Sequence, residues 1–247
     1  MQVKCWMDYI AKIYCMENND IVVEFTDNLF ERRVELMDLK YVDEFKRQES
    51  VYRNSNGCIC EPNRLQGEWR ILISTQSEKF RRGEWMSTLA HEMSHVDDYM
   101  KFANYFDLKS FRDIMIHKYY APFFVWTEYK AKSIGYNFLL VLYHSDKKDY
   151  NEIREKYQSL YDERQPIRYE KLRLKVLADI MEELAEYNMV NKIFGVQYDV
   201  DIVLRNFPKQ EKERMVRLHN MLRACMMDHR KFFEIIEDIK SEVSPYK

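Results

Sequence analysis

The sequence predicts a mainly helical α+β fold, with a small antiparallel sheet in the first half of the chain and a helical C-terminal region. Only five Gly and five Pro occur among the 247 residues, and residues that favour helices, such as Glu, Lys, Arg, Leu and Met, are abundant. Patterning agrees with composition, because strand-like segments end before residue 75 and helical periodicity dominates from residue 146 onward.

Helical and strand-like patterns alternate at the start of the chain. Apolar residues recur at helical spacing over residues 6–16 and again over residues 28–46. Between them, residues 21–25 are rich in β-branched side chains and are bounded by a turn. That segment predicts a short strand.

The next segments predict a hairpin that leads into a helix. A strong turn signal at residues 54–57 precedes Cys58-Ile59-Cys60, and residues 68–74 are the most strand-like segment of the chain. A loop containing Pro and Gly separates the two strands. We therefore expect a small antiparallel sheet packed on the helix that contains residues 91–95.

The second half carries three apolar stripes, over residues 150–160, 172–187 and 215–239. Stripes at helical spacing are usually the seams between packed helices. We therefore predict one domain over residues 1–143 and a helical region over residues 144–247 that packs on it.

Charge and hydropathy exclude several classes of protein. The net charge of −2 disfavours a nucleic-acid-binding surface, which is normally basic. The longest apolar run, residues 138–143, is far too short to span a bilayer. The first residues lack the apolar core of a signal peptide. These observations predict a cytoplasmic protein with no membrane partner.

Five cysteines form an odd, scattered set, whereas a disulfide framework is usually even and dense. Cys58 and Cys60 are separated by one residue, not by the two to four of a zinc knuckle. We therefore expect reduced thiols, and a redox or metal role for the Cys58–Cys60 pair is the alternative.

The motif His91-Glu92-Met93-Ser94-His95 has the pattern H-E-x-x-H. Two histidines four residues apart lie on one helical face, so both imidazoles can reach one zinc ion. Glu92 lies beside the metal, where its carboxylate can accept a proton from zinc-bound water, as in metalloproteases. The neighbouring side chains are uncharged, as an embedded helix requires. The alternative is a surface helix with two solvated histidines.

Zinc needs a third protein ligand, and two carboxylates are candidates. Asp98 shares the histidines' face but lies two turns from His91, about 10 Å along the helix. Asp98 is therefore better placed as a partner of a ligand or as a solvated helix-end residue. Glu128 lies among apolar residues, where a buried carboxylate needs a cation or a metal. We predict His91, His95 and Glu128 as the zinc ligands.

The segment Thr88-Leu89-Ala90-His91-Glu92, together with Glu128-x-x-Ala131, resembles the ImmA/IrrE-type metallopeptidases of bacteria and their mobile elements, a family of zincins. The resemblance covers about residues 50–140. It implies that a strand and a loop lead into the motif helix, and that a later helix provides the third ligand. It also implies that Glu92 is the general base of a cytosolic protease that cuts a regulatory protein, typically a DNA-binding repressor.

We therefore expect a zinc-dependent metallopeptidase that hydrolyses a protein or peptide substrate. Residues 68–74 could offer a strand edge to an extended peptide. One of His117, Tyr119 and Tyr120 could stabilise the oxyanion, and the sequence does not choose among them.

Two other functions are compatible with the sequence. One is a non-enzymatic zinc-containing interaction module that acts through the helical C-terminal half, although the intact Glu92 argues against it. The other is a regulator that binds nucleic acid through a basic cluster. That cluster comprises Arg164, Arg168, Lys171, Arg173 and Lys175.

Overall fold

The computed structural model describes residues 2–17, 20–37, 49, 52, 55–62, 64–145, 150–163, 167 and 173–246. It confirms the mainly helical α+β class, with one small sheet among many helices. The chain divides into two compact units, Met1–Ile116 and His117–Lys247. The division falls before the helix that carries Glu128, whereas the sequence predicted it after residue 143.

The first unit contains the sheet and its flanking helices. Its elements are α1 (Gln2–Tyr14), β1 (Ile21–Thr26), α2 (Leu29–Leu36), β2 (Gly57–Cys60), β3 (Trp69–Ser74), α3 (Glu78–Arg81), α4 (Trp85–Phe106) and α5 (Phe111–Ile116). The predicted helix over residues 28–46 corresponds to α2 in its first part, and residues 38–46 lie outside the described residues.

The sheet is mixed, so the prediction of an antiparallel sheet holds for only one of its two pairings. The strand order is β1-β3-β2, in which β2 is antiparallel and β1 parallel to β3. The long connection through α2 allows β1 to run parallel to β3, because a tight hairpin is not required. Ile71, Leu72 and Ile73 of the central strand are fully buried, as expected for a strand covered on both faces.

The long helix α4 contacts β2 and β3. Trp69 of β3 stacks on Tyr99 of α4, with ring centroids 6.2 Å apart. Strand and helix also approach closely at Gly57, where a Cβ atom would lie 2.7 Å from Thr88 Cγ2 and 2.9 Å from the Leu72 carbonyl oxygen. Glycine at residue 57 is therefore a packing requirement. The helix ends at Asp107, which adopts the left-handed conformation with φ of 53°.

Helix α2 packs against β2 and β3. Its N-terminus is capped by Asn28, whose side chain accepts a hydrogen bond from the Glu31 backbone N–H. Leu29 of α2 packs with Cys58, Cys60 and Leu72 in one buried cluster. The alternation of strand side chains places these three on one face of the sheet.

The second unit is entirely helical in its described residues. Its elements are α6 (Tyr120–Ser145), α7 (Tyr150–Asp162), α8 (Leu174–Phe194), α9 (Val200–Val203), α10 (Lys209–Cys225), α11 (His229–Glu234), α12 (Ile236–Val243) and a 3₁₀ turn (Ser244–Tyr246). The first two predicted stripes match α7 and α8. The third is divided among α10, α11 and α12, because Asp228 caps a new helix by accepting hydrogen bonds from the backbone N–H groups of Arg230 and Lys231.

Extensive packing of α6 against α8 forms the centre of the second unit. Trp126 of α6 stacks on Phe232 of α11 at 4.2 Å between ring centroids, and its indole N–H donates to the Cys225 carbonyl oxygen. Helix α8 ends at Gly195, whose φ of 66° closes the helix in the left-handed conformation. None of the helices in the described ranges is both long enough and apolar enough to cross a membrane.

His219 is a buried histidine in the second unit, with 2% of its surface exposed. Its Nε2 atom lies 3.3 Å from the Tyr198 hydroxyl oxygen. Burial lowers the pKa of His219 to about 4, and the positive charge of Arg223 adds to that shift. The imidazole is therefore neutral at pH 7.

The stability of the protein should fall as the pH is lowered from 6.5 to 4. In this window an unfolded histidine, with its ordinary pKa of 6.5, takes up a proton that folded His219 does not. The free energy of unfolding should lose about 1.4 kcal/mol per pH unit from this group. Urea unfolding of His219→Gln should show a shallower pH dependence than the wild type. An equal or larger change in His117→Gln, at a more exposed histidine, would contradict this assignment.

Gly57→Ala should destabilise the first unit, because the new methyl group would meet Thr88 and the β3 backbone. We expect a loss of about 1–3 kcal/mol in the free energy of unfolding, measured by urea denaturation. Thr88→Ser removes the Cγ2 methyl group and should restore part of the loss in the double variant. Strictly additive effects of the two substitutions would show that the contact is not responsible.

Candidate metal centre

The two histidines of the motif lie on α4, near the middle of the helix. His91 is half-buried and His95 is buried, with 6% of its surface exposed. Their Nε2 atoms are 3.1 Å apart, and their rings meet edge to face with centroids 4.8 Å apart. Helical spacing therefore converges the two imidazoles as the motif predicts.

The separation of the Nε2 atoms fits two ligands of one zinc ion. At zinc–nitrogen distances of about 2.0–2.1 Å and tetrahedral angles, two ligand nitrogens lie about 3.3 Å apart. Imidazole nitrogens are also among the donors that zinc prefers. A hydrogen bond between the two rings would give a similar distance, if one Nε2 atom carries the proton.

Glu92 occupies a different environment from the histidines that flank it. Its carboxylate-bearing side chain is buried, with 6% of its surface exposed. It lies against β2, since a Cβ atom at Gly57 would be 3.5 Å from Glu92 Cγ. The negative charge of Glu92 also contributes to a raised pKa of Cys58. The motif therefore supplies a buried carboxylate that is adjacent in sequence to a histidine and packs against the edge of the sheet.

Buried and half-buried His, Asp and Glu residues are close enough to hold a metal ion. The first unit provides the motif histidines His91 and His95, whose Nε2 atoms are 3.1 Å apart. Glu128, the predicted third ligand, is half-buried on α6 of the second unit. Asp98, the other carboxylate considered, is fully buried on α4.

Asp97, which follows His95 on α4, has partners that stabilise the fold. Its carboxylate accepts hydrogen bonds from the Glu17 backbone N–H at 3.0 Å and from Lys101 Nζ at 2.9 Å. These contacts join the segment after α1 to α4 and satisfy a carboxylate that is 2% exposed.

Glu128 has charged neighbours on α8 that sequence reasoning missed. Burial raises the pKa of Glu182 to about 7, and the negative charge of Glu128 adds to the increase. Lys132 and Lys175 act in the opposite direction. Glu182 lies within the segment of the second predicted stripe but is not one of its apolar residues. The only sign of its role in the sequence was therefore a charged residue on a helix predicted to pack in the core.

The three predicted oxyanion candidates differ in their surroundings. The Tyr119 hydroxyl donates a hydrogen bond to Glu237 Oε1, and the side chain is buried. His117 and Tyr120 are partly buried. Burial lowers the pKa of His117, and the charge of Lys118 adds to this effect. Because the Tyr119 hydroxyl proton is already used, Tyr119 is the weakest of the three candidates.

The prediction that residues 68–74 offer an open strand edge is wrong. These residues form β3, the central strand, which is paired with β1 on one side and β2 on the other. The apolar run made β3 recognisable as a strand, and the same run places it in the centre of the sheet. On the outer strand β2, the Ile59 carbonyl oxygen accepts a hydrogen bond from Arg33.

The resemblance to ImmA/IrrE-type metallopeptidases stays a prediction from short motifs. Comparison of the chain with protein-family models, curated proteins and solved structures gives no match. The assignment of function therefore depends on the residues and their geometry.

Proposed function

We propose that this protein is a zinc-dependent metallopeptidase. The observation that carries the proposal is the 3.1 Å separation of the His91 and His95 Nε2 atoms beside the buried Glu92. A structural zinc site needs ligands only, and it gives no reason for a carboxylate at the residue after the first histidine. The H-E-x-x-H pattern with this geometry is the arrangement that hydrolytic zinc sites use.

His91, His95 and Glu128 would hold the zinc ion, leaving a coordination position for a non-protein ligand. Bound zinc supplies Lewis acidity, which polarises a scissile carbonyl group and makes water more acidic. Glu92 accepts the proton of the attacking water and then donates it to the departing amine nitrogen. The burial of Glu92 restricts the movement of its side chain, which favours both transfers.

The proposed substrate is a peptide bond in a protein or peptide, and the proposed location is the cytoplasm. The resemblance to ImmA/IrrE-type enzymes further suggests a regulatory protein as the substrate. On the β2 edge of the sheet, backbone pairing with an extended peptide is limited, because Arg33 already occupies the Ile59 carbonyl oxygen. Side-chain contacts would then contribute more to selectivity than backbone pairing.

Removing a proposed ligand should lower zinc affinity. Loss of a residue that only supports a ligand already costs about 10–100-fold, so His91→Ala, His95→Ala and Glu128→Ala should each cost at least that much. Zinc content after dialysis against a chelator, measured by plasma emission spectrometry, checks this. His117→Ala is the control, since it removes a histidine outside the motif. Full zinc occupancy in Glu128→Ala would remove Glu128 from the ligand set.

Glu92→Gln should retain zinc but lose hydrolysis. The amide keeps the size of the side chain but cannot accept the proton, so we expect kcat to fall by about 10²–10⁴-fold. Turnover is measured with a mixture of internally quenched peptides, and zinc content is measured on the same preparation. Glu84→Gln, at the start of α4, is the matched control. A wild-type protein that binds zinc but cleaves no peptide or protein would favour a non-enzymatic zinc module.

A further inference from the structure

Cys58 and Cys60 lie on β2 and share one face of that strand. Alternate residues of a strand point to the same side, and the burial of β2 follows this pattern, with both cysteines buried and the residues between and before them less so. Together they pack with Leu29 of α2 and Leu72 of β3. The proposed hydrolytic mechanism uses neither thiol.

Cys58 and Cys60 influence each other's titration from their shared face of β2. The Cys58 thiol lowers the pKa of Cys60, and the positive charge of Arg33 lowers it further against the effect of burial. The Cys60 thiol in turn raises the pKa of Cys58, and burial adds to the increase. Cys60 is therefore the more acidic thiol of the pair.

A buried cation accompanies the pair. Arg33 is 9% exposed, and its guanidinium is held by Glu61 at 2.9 Å and by the Ile59 carbonyl oxygen. These two contacts come from the residues immediately before and after Cys60 in the chain. They fix the orientation of the Arg33 guanidinium. A fixed guanidinium beside a thiol is a recurrent feature of reactive cysteines.

We propose that Cys58 and Cys60 form a redox modification site, at which a peroxide converts the two thiols into an intrachain disulfide. This goes beyond the proposed peptidase function and does not depend on it. A second buried cysteine on the same face of the strand distinguishes this site from the exposed Cys5 and Cys15. The pair thus contains both an attacking and a resolving cysteine.

The reaction is balanced with hydrogen peroxide as the oxidant. The Cys60 sulfur attacks one peroxide oxygen, forming an S–O bond and breaking the O–O bond, and the leaving hydroxide takes a proton to become water. The Cys58 sulfur then attacks the Cys60 sulfur, forming the S–S bond and breaking the S–O bond, and its proton leaves with the second water. Two thiols and one peroxide give one disulfide and two waters, so sulfur is oxidised and peroxide oxygen is reduced.

Strand geometry predicts a structural consequence of oxidation. Cα atoms of alternate strand residues are about 6.6 Å apart, whereas disulfides most often join Cα atoms about 5.5–6 Å apart. A disulfide at the most common separation would therefore shorten strand β2 by about 1 Å. Its first residue, Gly57, has no spare room against Thr88 and Leu72, so oxidation should loosen the contact between β2 and α4.

Treatment of the folded, full-length protein with hydrogen peroxide tests the proposal. Intact mass should fall by two hydrogen atoms, and peptide mapping without reduction should place the bond between Cys58 and Cys60. Dithiothreitol should restore both thiols. Cys5→Ser and Cys15→Ser should leave this result unchanged. A wild-type map in which Cys58 and Cys60 stay reduced, or pair with other cysteines, overturns the proposal.

Single substitutions test which cysteine attacks the peroxide and which one resolves the sulfenic acid. Cys58→Ser should accumulate a Cys60 sulfenic acid that dimedone labels, whereas Cys60→Ser should label at Cys58 at least 10-fold more slowly. Circular dichroism establishes that each variant is folded. Arg33→Lys, which keeps the charge, should oxidise faster than Arg33→Gln. Equal labelling of the two serine variants overturns the assignment of Cys60 as the attacking thiol.

Discussion

The constraint on which this structure depends is the burial of α4, a helix that carries polar side chains on most of its circumference. Glu92, His95, Asp97 and Asp98 are all buried, and a buried polar group is costly unless a partner satisfies it. For Asp97 the partners are Lys101 and the backbone after α1. The Nε2 atoms of the two histidines instead face each other at 3.1 Å, the separation that we propose a zinc ion would bridge.

The sheet restricts where the remaining polar groups of α4 can lie. The strands β2 and β3 pack against the helix so closely that residue 57 has no room for a side chain. Glu92 is therefore confined beside β2, away from solvent. The same strand carries the Cys58–Cys60 pair, so a chemical change in that pair would act on the packing that confines Glu92. Strand β2 thus connects the two sites that we propose.

In the second unit, too, burial is costly for charged groups and shifts their pKa values. Glu182 and Glu128 influence each other on packed helices, and burial moves the pKa of Glu182 to about 7. His219 stays neutral for the same reason, because burial disfavours its charged form and here lowers the pKa. Apolar stripes explain why these helices pack, whereas the titratable groups among them determine how the packing responds to pH.

The sequence by itself determined whatever depends on neighbours along the chain. Helical spacing brings His91 and His95 together, and β-branched runs define β1 and β3, since each of these features is set within a few residues. The mainly helical α+β class followed from the same local signals. The turn signal at residues 54–57 also allowed the strand at residues 58–60 to be recognised. The sequence did not determine the chemistry of the two cysteines in that strand.

Only the tertiary structure decided the pairings between distant segments. The parallel pairing of β1 with β3, the central position of β3, the approach of Arg33 to Cys60 and the placement of Glu182 beside Glu128 all join residues far apart in sequence. Periodicity states which face of an element is apolar, but it does not state which element that face meets. Contacts of this kind depend on the packing of whole surfaces, so no short motif contains them.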